Sequence, residues 1–260
     1  MLNVRHQEGD DKAMKRGTTG EAKASMHAWA TFIAGFCMLL LASQSHGQQS
    51  LDLRAILQET QKMSQVPPEM ILVWWLPEQF WQASQGQNPT VTEAQVNRFL
   101  DVTRRYTLIA VAAGQMGAFG GVTYKSGDAV RTGVTIKDAR GSTYAPLSGP
   151  SVDPDMKNLL EMMKPVVANM IGPLGQNTHF LLFPAKSEDG RPVADPTSEG
   201  ALYVVVGGKE FKYRLPLGSV LPPKYDPDTG ERFPGNYSYN PFTGRELHTG
   251  SSNKALQPPR

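Results

Sequence analysis

The C-terminal part of the chain contains one short motif twice, 14 residues apart. Residues 225–230 read YDPDTG and residues 239–244 read YNPFTG. In each copy an Asp or Asn precedes Pro-x-Thr-Gly, and residues of these types favour β-turns. The repeat therefore predicts two stacked β-turn hairpins. It also separates a small C-terminal module, residues 222–247, from a larger domain over residues 48–221.

Four positions of the repeat, Asp226, Thr229, Asn240 and Thr243, stand where cysteines would make each copy read Cys-Pro-x-Cys-Gly, the thiolate turn of a zinc ribbon. Without the cysteines we expect no zinc and no other metal, because Asp226, Asp228 and Asn240 offer few oxygen ligands against the six to eight of calcium. We expect the Asp226 and Asn240 side chains to accept hydrogen bonds from turn amides instead. A small aromatic core is predicted from Tyr225, Phe233, Tyr237, Tyr239 and Phe242.

Composition sets broad limits on function. The 260 residues are 40% hydrophobic and 19% charged, which is typical of a globular protein with one good core. The formal net charge of +2 is too small to argue for nucleic acid as a partner. Cys37 is the single cysteine, so we expect no disulfide and no thiolate chemistry in the remainder of the chain.

An apolar run without charge occupies residues 28–42 and is followed by small residues at Ser45 and Gly47. The run is shorter than the roughly 20 residues that span a bilayer and matches the apolar segment of a secretory signal. We therefore predict a signal peptide over residues 1–47, cleaved before Gln48, and a periplasmic or secreted mature chain. The alternative is an uncleaved N-terminal segment that anchors the protein to the membrane.

Hydrophobic periodicity predicts an α+β domain with a mostly antiparallel sheet and two or three packed helices. Thr92 followed by Gln95 is a capping-box start, and Asp153-Pro154 is a second helix start. Apolar residues 70–76 indicate a buried strand or a short buried helical piece. The predicted helices cover residues 51–64, 93–105 and 154–171, and the other predicted strands cover residues 106–113, 121–125, 134–138, 142–146, 178–183, 201–206 and 210–215. Residues 248–260 are predicted to be disordered.

Three tryptophans, Trp74, Trp75 and Trp81, lie close together in the sequence. Their rings could form a ligand-binding surface, since an aromatic face matches the apolar face of a pyranose. The structural alternative is that they anchor a core without disulfides. The uninterrupted apolar neighbours favour burial of at least one ring of Trp74 and Trp75.

Other sequence features do not indicate catalysis. The glycine-rich residues 114–121 follow a predicted strand but do not lead into a helix, so no nucleotide site is expected. His179 and His248 lack partners at metal-ligand spacing, and no nucleophile motif is present. Paired acids such as Glu188 and Asp189 are explained by solvation. We assign no catalytic residue, no cofactor and no metal.

Four segments of the chain resemble a family of exported bacterial proteins of uncharacterised function: residues 88–100, 118–124, 169–185 and 211–224. The resemblance covers roughly residues 65–247. It implies a secreted α+β domain followed by a two-turn zinc-ribbon-like module. Because this chain departs from the family at all four cysteine positions, the resemblance does not carry zinc binding over, and it supplies no catalytic residues.

The function predicted from the sequence is a non-catalytic binding or interaction protein of the cell envelope. Its partner would be an envelope protein or a glycan, with no nucleic acid and no nucleotide; a membrane would be involved only if the N-terminal segment is retained. The alternative is an envelope enzyme that acts on a glycan or peptide through carboxylates.

Overall fold

The computed structural model describes residues 51–85 and 92–250. The predicted signal peptide and residues 251–260 lie outside the described residues. In the described part of the chain, none of the helices has the length and apolar character that crossing a membrane requires.

The domain is α+β, as predicted. Helices occupy its N-terminal half and the region between two groups of strands. The helices are α1 Leu53–Thr60, α2 Glu78–Gln85, α3 Glu93–Thr103, α4 Gly127–Gly133, α5 Pro154–Ile171 and α6 Pro173–Gln176. The strands are β1 Gln61–Ser64, β2 Glu69–Trp75, β3 Tyr106–Met116, β4 Val122–Tyr124, β5 Val134–Lys137, β6 Thr143–Tyr144, β7 His179–Pro184, β8 Gly200–Val206 and β9 Lys209–Leu215, with β10 Lys224–Tyr225, β11 Arg232–Phe233 and β12 His248–Thr249 in the C-terminal module.

The central sheet contains five antiparallel strands. Its order is β1-β2-β3, and β3 then pairs with both β7 and β4. β7 lies along the first half of β3, where Ile109 is opposite Leu181, and β4 lies along the end, where Gln115 is opposite Thr123. An outer sheet has the order β6-β5-β8-β9, also antiparallel.

The two sheets and the helices form three layers with two cores. Successive residues of β2 point to opposite faces, so Trp74 packs among the helices while Val73 and Trp75 pack against the outer sheet. β3 alternates in the same way, with Leu108 in the helical core and Ile109 in the core between the sheets. Burial on both faces explains why residues 70–76 are all apolar, and residues 70–75 are confirmed as a strand.

Helix starts were predicted well because their hydrogen bonds are local. Thr92 and Gln95 form the capping box, with the Gln95 amide 3.3 Å from Thr92 Oγ1. The Asp153 carboxylate accepts a hydrogen bond from the Asp155 amide at 2.9 Å, as expected of an N-cap. The prediction of helix over residues 51–64 is wrong at its end, since residues 61–64 form β1. Pairing with β2 overrides the helical pattern there.

The C-terminal module is docked on the main domain. The Gly235 amide donates to the Gly218 carbonyl at 3.1 Å, and Asn236 Nδ2 donates to the Pro216 carbonyl at 3.1 Å. A Cβ on Gly235 would lie 2.4 Å from the Pro222 carbonyl oxygen, so only glycine permits this approach. The prediction that residues 248–260 are disordered is wrong for residues 248 and 249. These two residues form β12, which pairs with β10.

Because Trp75 is buried in the central sheet, we predict that Trp75→Ala strongly destabilises the protein. Trp75 is 1% exposed and its ring meets Tyr213 edge-on at 5.7 Å. We expect the free energy of unfolding to fall by about 3–5 kcal/mol, measured by chemical denaturation. The control Val66→Ala, at a side chain 62% exposed, should change it by less than about 0.5 kcal/mol. Equal effects of the two variants would contradict the two-core architecture.

Candidate functional site

The three tryptophans do not form an exposed surface. Trp74, Trp75 and Trp81 are 3%, 1% and 6% exposed. Trp74 meets Phe80 edge-on at 5.3 Å, and Trp81 meets both Phe80 and Phe99 in the same way. The interpretation of these rings as a sugar-stacking surface is therefore wrong, and the prediction that Trp74 or Trp75 is buried is confirmed.

Trp75 and Trp81 nevertheless line part of a cavity of about 240 Å³. The cavity lies at the end of the central sheet where β2 and β7 finish and β3 begins. Helices α2 and α3 close one side, and the chain segment 185–196 closes the other. Its apolar wall includes Trp75, Leu76, Trp81, Leu108, Ala185 and Pro196, and its charged residues are Glu78, Arg104, Lys186 and Asp195. We call this space the end cavity.

Backbone hydrogen bonds hold the walls of the end cavity in place. The Leu76 amide donates to the Leu108 carbonyl at 3.0 Å, which extends the pairing of β2 with β3 to the cavity. Pro77 then ends β2, and α2 starts at Glu78. On the other side the Val193 amide donates to the Ala185 carbonyl at 2.9 Å, so the segment after β7 turns back as a hairpin.

The carboxylates at the cavity have partners within the protein. Glu78 Oε1 accepts hydrogen bonds from Arg104 at 3.3 Å and Gln82 at 3.0 Å. Asp195 Oδ1 accepts from the Thr197 amide at 2.8 Å and from the Thr197 hydroxyl at 2.7 Å. Both acids therefore stabilise local structure, a helix surface in one case and a turn in the other.

Gln79 is different, because its side-chain oxygen Oε1 is buried and accepts no hydrogen bond from the described residues. Gln79 lines the end cavity. Trp74 Nε1, in the adjacent helical core, is also buried without a partner in that part of the chain. An unsatisfied buried polar atom costs about 1–3 kcal/mol, so each of these groups calls for an explanation.

Sequence reasoning missed the end cavity. Gln79 and Ala185 are more than a hundred positions apart in the sequence, and they line the same cavity because β3 pairs with both β2 and β7. Neither residue belongs to a recognisable motif. The signal available in the sequence was Pro77, which ends the buried strand and is followed by the polar residues Glu78 and Gln79.

The repeated turns bring Asp226 and Asn240 together. Asp226 Oδ1 accepts hydrogen bonds from the amides of Asp228 and Thr229, at 2.9 and 3.0 Å. Asn240 Oδ1 accepts from the amides of Phe242 and Thr243, at 2.9 and 3.3 Å. These contacts confirm the predicted role of the two side chains. Asn240 Nδ2 also donates to Asp226 Oδ2 at 2.6 Å, which joins the two turns directly.

Thr229 and Thr243 play matching parts in the two turns. The Thr229 hydroxyl accepts from the Glu231 amide at 3.2 Å, and the Thr243 hydroxyl accepts from the Arg245 amide at 3.3 Å. In residues 51–85 and 92–250, no group of three or more His, Cys, Asp or Glu side chains is placed to hold a metal ion. The four repeat positions thus close the turns with hydrogen bonds among themselves and the backbone.

The predicted aromatic core of the module is only partly present. Phe233 is buried and stacks on Tyr237 with ring centroids 6.5 Å apart. Tyr239 and Phe242 are exposed, at 60% and 82%, so their assignment to a core is wrong. The hydrogen-bonded Asp226–Asn240 pair occupies the space between the turns, which leaves these two rings outside it.

Hydrogen bonds also set the protonation of two buried acids. The Asn240 amide, followed by the Thr229 backbone amide, lowers the pKa of Asp226 to about 2 against the opposing effect of burial. Burial would raise the pKa of Asp138. Hydrogen bonds from the Ser142 and Arg140 amides, from the Tyr144 hydroxyl and from the Arg140 guanidinium outweigh it and lower that pKa. Both acids are thus held ionised by turn hydrogen bonds.

The Asp226 contacts predict that the module loses stability in acid. Because its pKa is depressed on folding, Asp226 stabilises the module fully above its unfolded pKa near 4, and this stabilisation is lost as the pH falls towards about 2. Hydrogen exchange measured by NMR should show falling protection of the Asp228 and Thr229 amides over this range, after correction for intrinsic exchange. The Gly207 amide, in the outer sheet, is the internal control.

The matched variant is Asp226→Asn. It removes the titrating group and places two NH₂ donors against each other at Asn240, so protection should be lower at pH 7 and no longer depend on Asp226 protonation. If this variant kept the acid sensitivity of the native module, another group would be responsible.

Comparison with known proteins gives no further assignment. No protein-family model matches the chain, and searches of curated proteins and of solved structures find no match. The resemblance to exported proteins with a zinc-ribbon-like module therefore stays a prediction, and the functional argument rests on the geometry of the end cavity and of the surfaces.

Proposed function

We propose that the protein is a non-catalytic interaction protein of the cell envelope, and that its end cavity receives one apolar side chain of a partner polypeptide. The observation that carries this proposal is the end cavity itself, where the apolar side chains of Trp75, Leu76 and Trp81 lie beside polar groups at the end of the central sheet. Concave sites with an apolar wall and a few polar groups are typical binding sites.

The size and lining of the cavity favour a side chain. About 240 Å³ lies below the roughly 300–1,000 Å³ of sites for drug-sized ligands. A pyranose carries hydroxyls around its ring, and each would need a partner, whereas the Glu78 and Asp195 carboxylates at the cavity already accept local hydrogen bonds. A tyrosine-like group, with an apolar ring and a single donor, fits this chemistry better.

The carboxylate enzyme is the weaker alternative. Glu78 and Asp195 both line the cavity, but each is an acceptor in local hydrogen bonds. The tryptophans beside them are buried and offer no ring face for a sugar. Paired-acid catalysis needs two carboxyls free to face the scissile bond. The local hydrogen bonds of Glu78 and Asp195 therefore favour a binding role over a catalytic one.

Soluble side-chain analogues test the proposal. N-acetyl-tyrosinamide should bind with a dissociation constant in the millimolar range, about −4 kcal/mol, and should shift the NMR amide signals of Gln79 and Ala185. Ala185→Leu, which fills the cavity, should abolish these shifts. Ala94→Leu, at an exposed position of α3, is the matched control and should bind as the native protein does. Binding that survives Ala185→Leu would place the site elsewhere.

Gln79→Met separates the cost of the buried oxygen from binding in the cavity. Without the unsatisfied oxygen, the free energy of unfolding should rise by about 1 kcal/mol, while N-acetyl-tyrosinamide should bind as it does to the native protein, because the buried oxygen does not face the cavity. N-acetyl-phenylalaninamide lacks the phenol and should bind the variant and the native protein alike. A less stable variant would contradict the assignment of Gln79 Oε1 as an unsatisfied acceptor.

The envelope location in this proposal is supported by the sequence, through the apolar run at residues 28–42 and the small residues Ser45 and Gly47. We expect N-terminal sequencing of protein from its native host to begin at Gln48. A membrane-bound product that begins before residue 40 would favour the alternative, a retained anchor.

A further inference from the structure

The outer sheet turns one face towards the central sheet and the other face away from it. Along β8, Leu202, Val204 and Val206 are buried in the core between the sheets, while Tyr203 and Val205 between them are half-buried on the opposite face. β9 alternates in the same way, with Glu210, Lys212 and Arg214 exposed. We call the face that carries these residues the outward face.

Basic side chains are aligned across the outward face. The strand register places Lys137 of β5 opposite Tyr203 of β8, and Tyr203 opposite Lys212 of β9. Lys137 Nζ lies 5.9 Å and Lys212 Nζ 5.5 Å from the centroid of the Tyr203 ring. The ring attracts both ammonium groups and so holds two cations in one row, brought in from the strands on either side of it.

The charges on this face are not balanced within the protein. Lys137 pairs with Glu210. Lys212 and Arg214 have no carboxylate partner in residues 51–85 and 92–250, although both are exposed. Arg214 is two residues from Lys212 on the same strand, so its side chain projects from the same face about 7 Å further along. Among the described residues, the outward face therefore offers two cations without a carboxylate partner next to the Lys137–Glu210 ion pair.

We propose that the outward face binds an acidic polysaccharide, with carboxylate groups along the glycan paired to Lys212 and Arg214. Repeated anions on an extended chain match cations placed in a row on a flat sheet, since each pair adds a small electrostatic contribution. The Tyr203 ring positions the ammonium groups. This surface shares no residue with the end cavity and does not depend on the function proposed for it.

Acidic polysaccharide fits better than nucleic acid. Non-specific binding of single-stranded nucleic acid uses exposed aromatic rings on which successive bases stack. Here one tyrosine lies in the row, and ammonium groups approach its ring from both neighbouring strands. The sequence isoelectric point of about 8.6 and the net charge of +2 are also low for a nucleic-acid-binding domain.

The test measures binding of a galacturonate hexamer to the full chain by calorimetry. We expect binding at about 50 mM salt that weakens strongly at about 200 mM, and no binding of the neutral maltohexaose. Lys212→Gln combined with Arg214→Gln should lower the affinity by about tenfold or more. The control pair Arg98→Gln and Lys157→Gln removes the same charge at exposed sites on α3 and α5 and should leave the affinity unchanged.

Further variants separate the possible outcomes. Tyr203→Phe keeps the ring and should bind like the native protein. Tyr203→Ala should bind less tightly, because it removes the ring that attracts both ammonium groups. Ala185→Leu should have no effect, which distinguishes this surface from the end cavity. Absence of hexamer binding, equal loss in the control pair, equal binding of maltohexaose, or tighter binding of a single-stranded DNA oligomer would each overturn the proposal.

Discussion

Burial of the central sheet on both faces is the constraint on which the rest of the structure depends. Val73, Ile109 and Val111 are fully buried, and neighbouring residues of the same strands alternate between two cores. A sheet with two apolar faces needs a cover on each side. Helices α1, α2, α3 and α5 cover one face, and the outer sheet together with α4 covers the other. Where β2 and β7 end, the covering layers no longer meet completely, and the end cavity lies in this gap.

The sequence was most informative where structure depends on local contacts. The Thr92–Gln95 capping box and the Gly207-Gly208 hairpin follow from residues a few positions apart. The sequence was less informative where distant strands compete with local preference. Residues 61–64 follow a helix and become a strand because β2 pairs with them. The short helices α2 and α4 were not predicted, since their apolar residues serve cores built from other elements. The end cavity depends on the same long-range pairing.

The C-terminal module shows the same division between local and long-range information. Each turn could be predicted from its Asp or Asn, because the side chain bonds to amides two and three residues ahead. The contact between Asp226 and Asn240 joins the two turns and could not be read from either copy alone. This contact explains the chemical difference between the two copies. A carboxylate accepts and an amide donates, whereas two carboxylates at this distance would repel.

The two proposed binding surfaces lie in different layers of the fold. The end cavity opens at the end of the central sheet, and the outward face is the far side of the outer sheet. The core between the sheets separates them, and Val204 and Phe183 are fully buried within it. Close-packed interiors change arrangement only at a substantial cost. Binding at one proposed site should therefore leave the other unchanged, so that one molecule could hold both proposed partners at once.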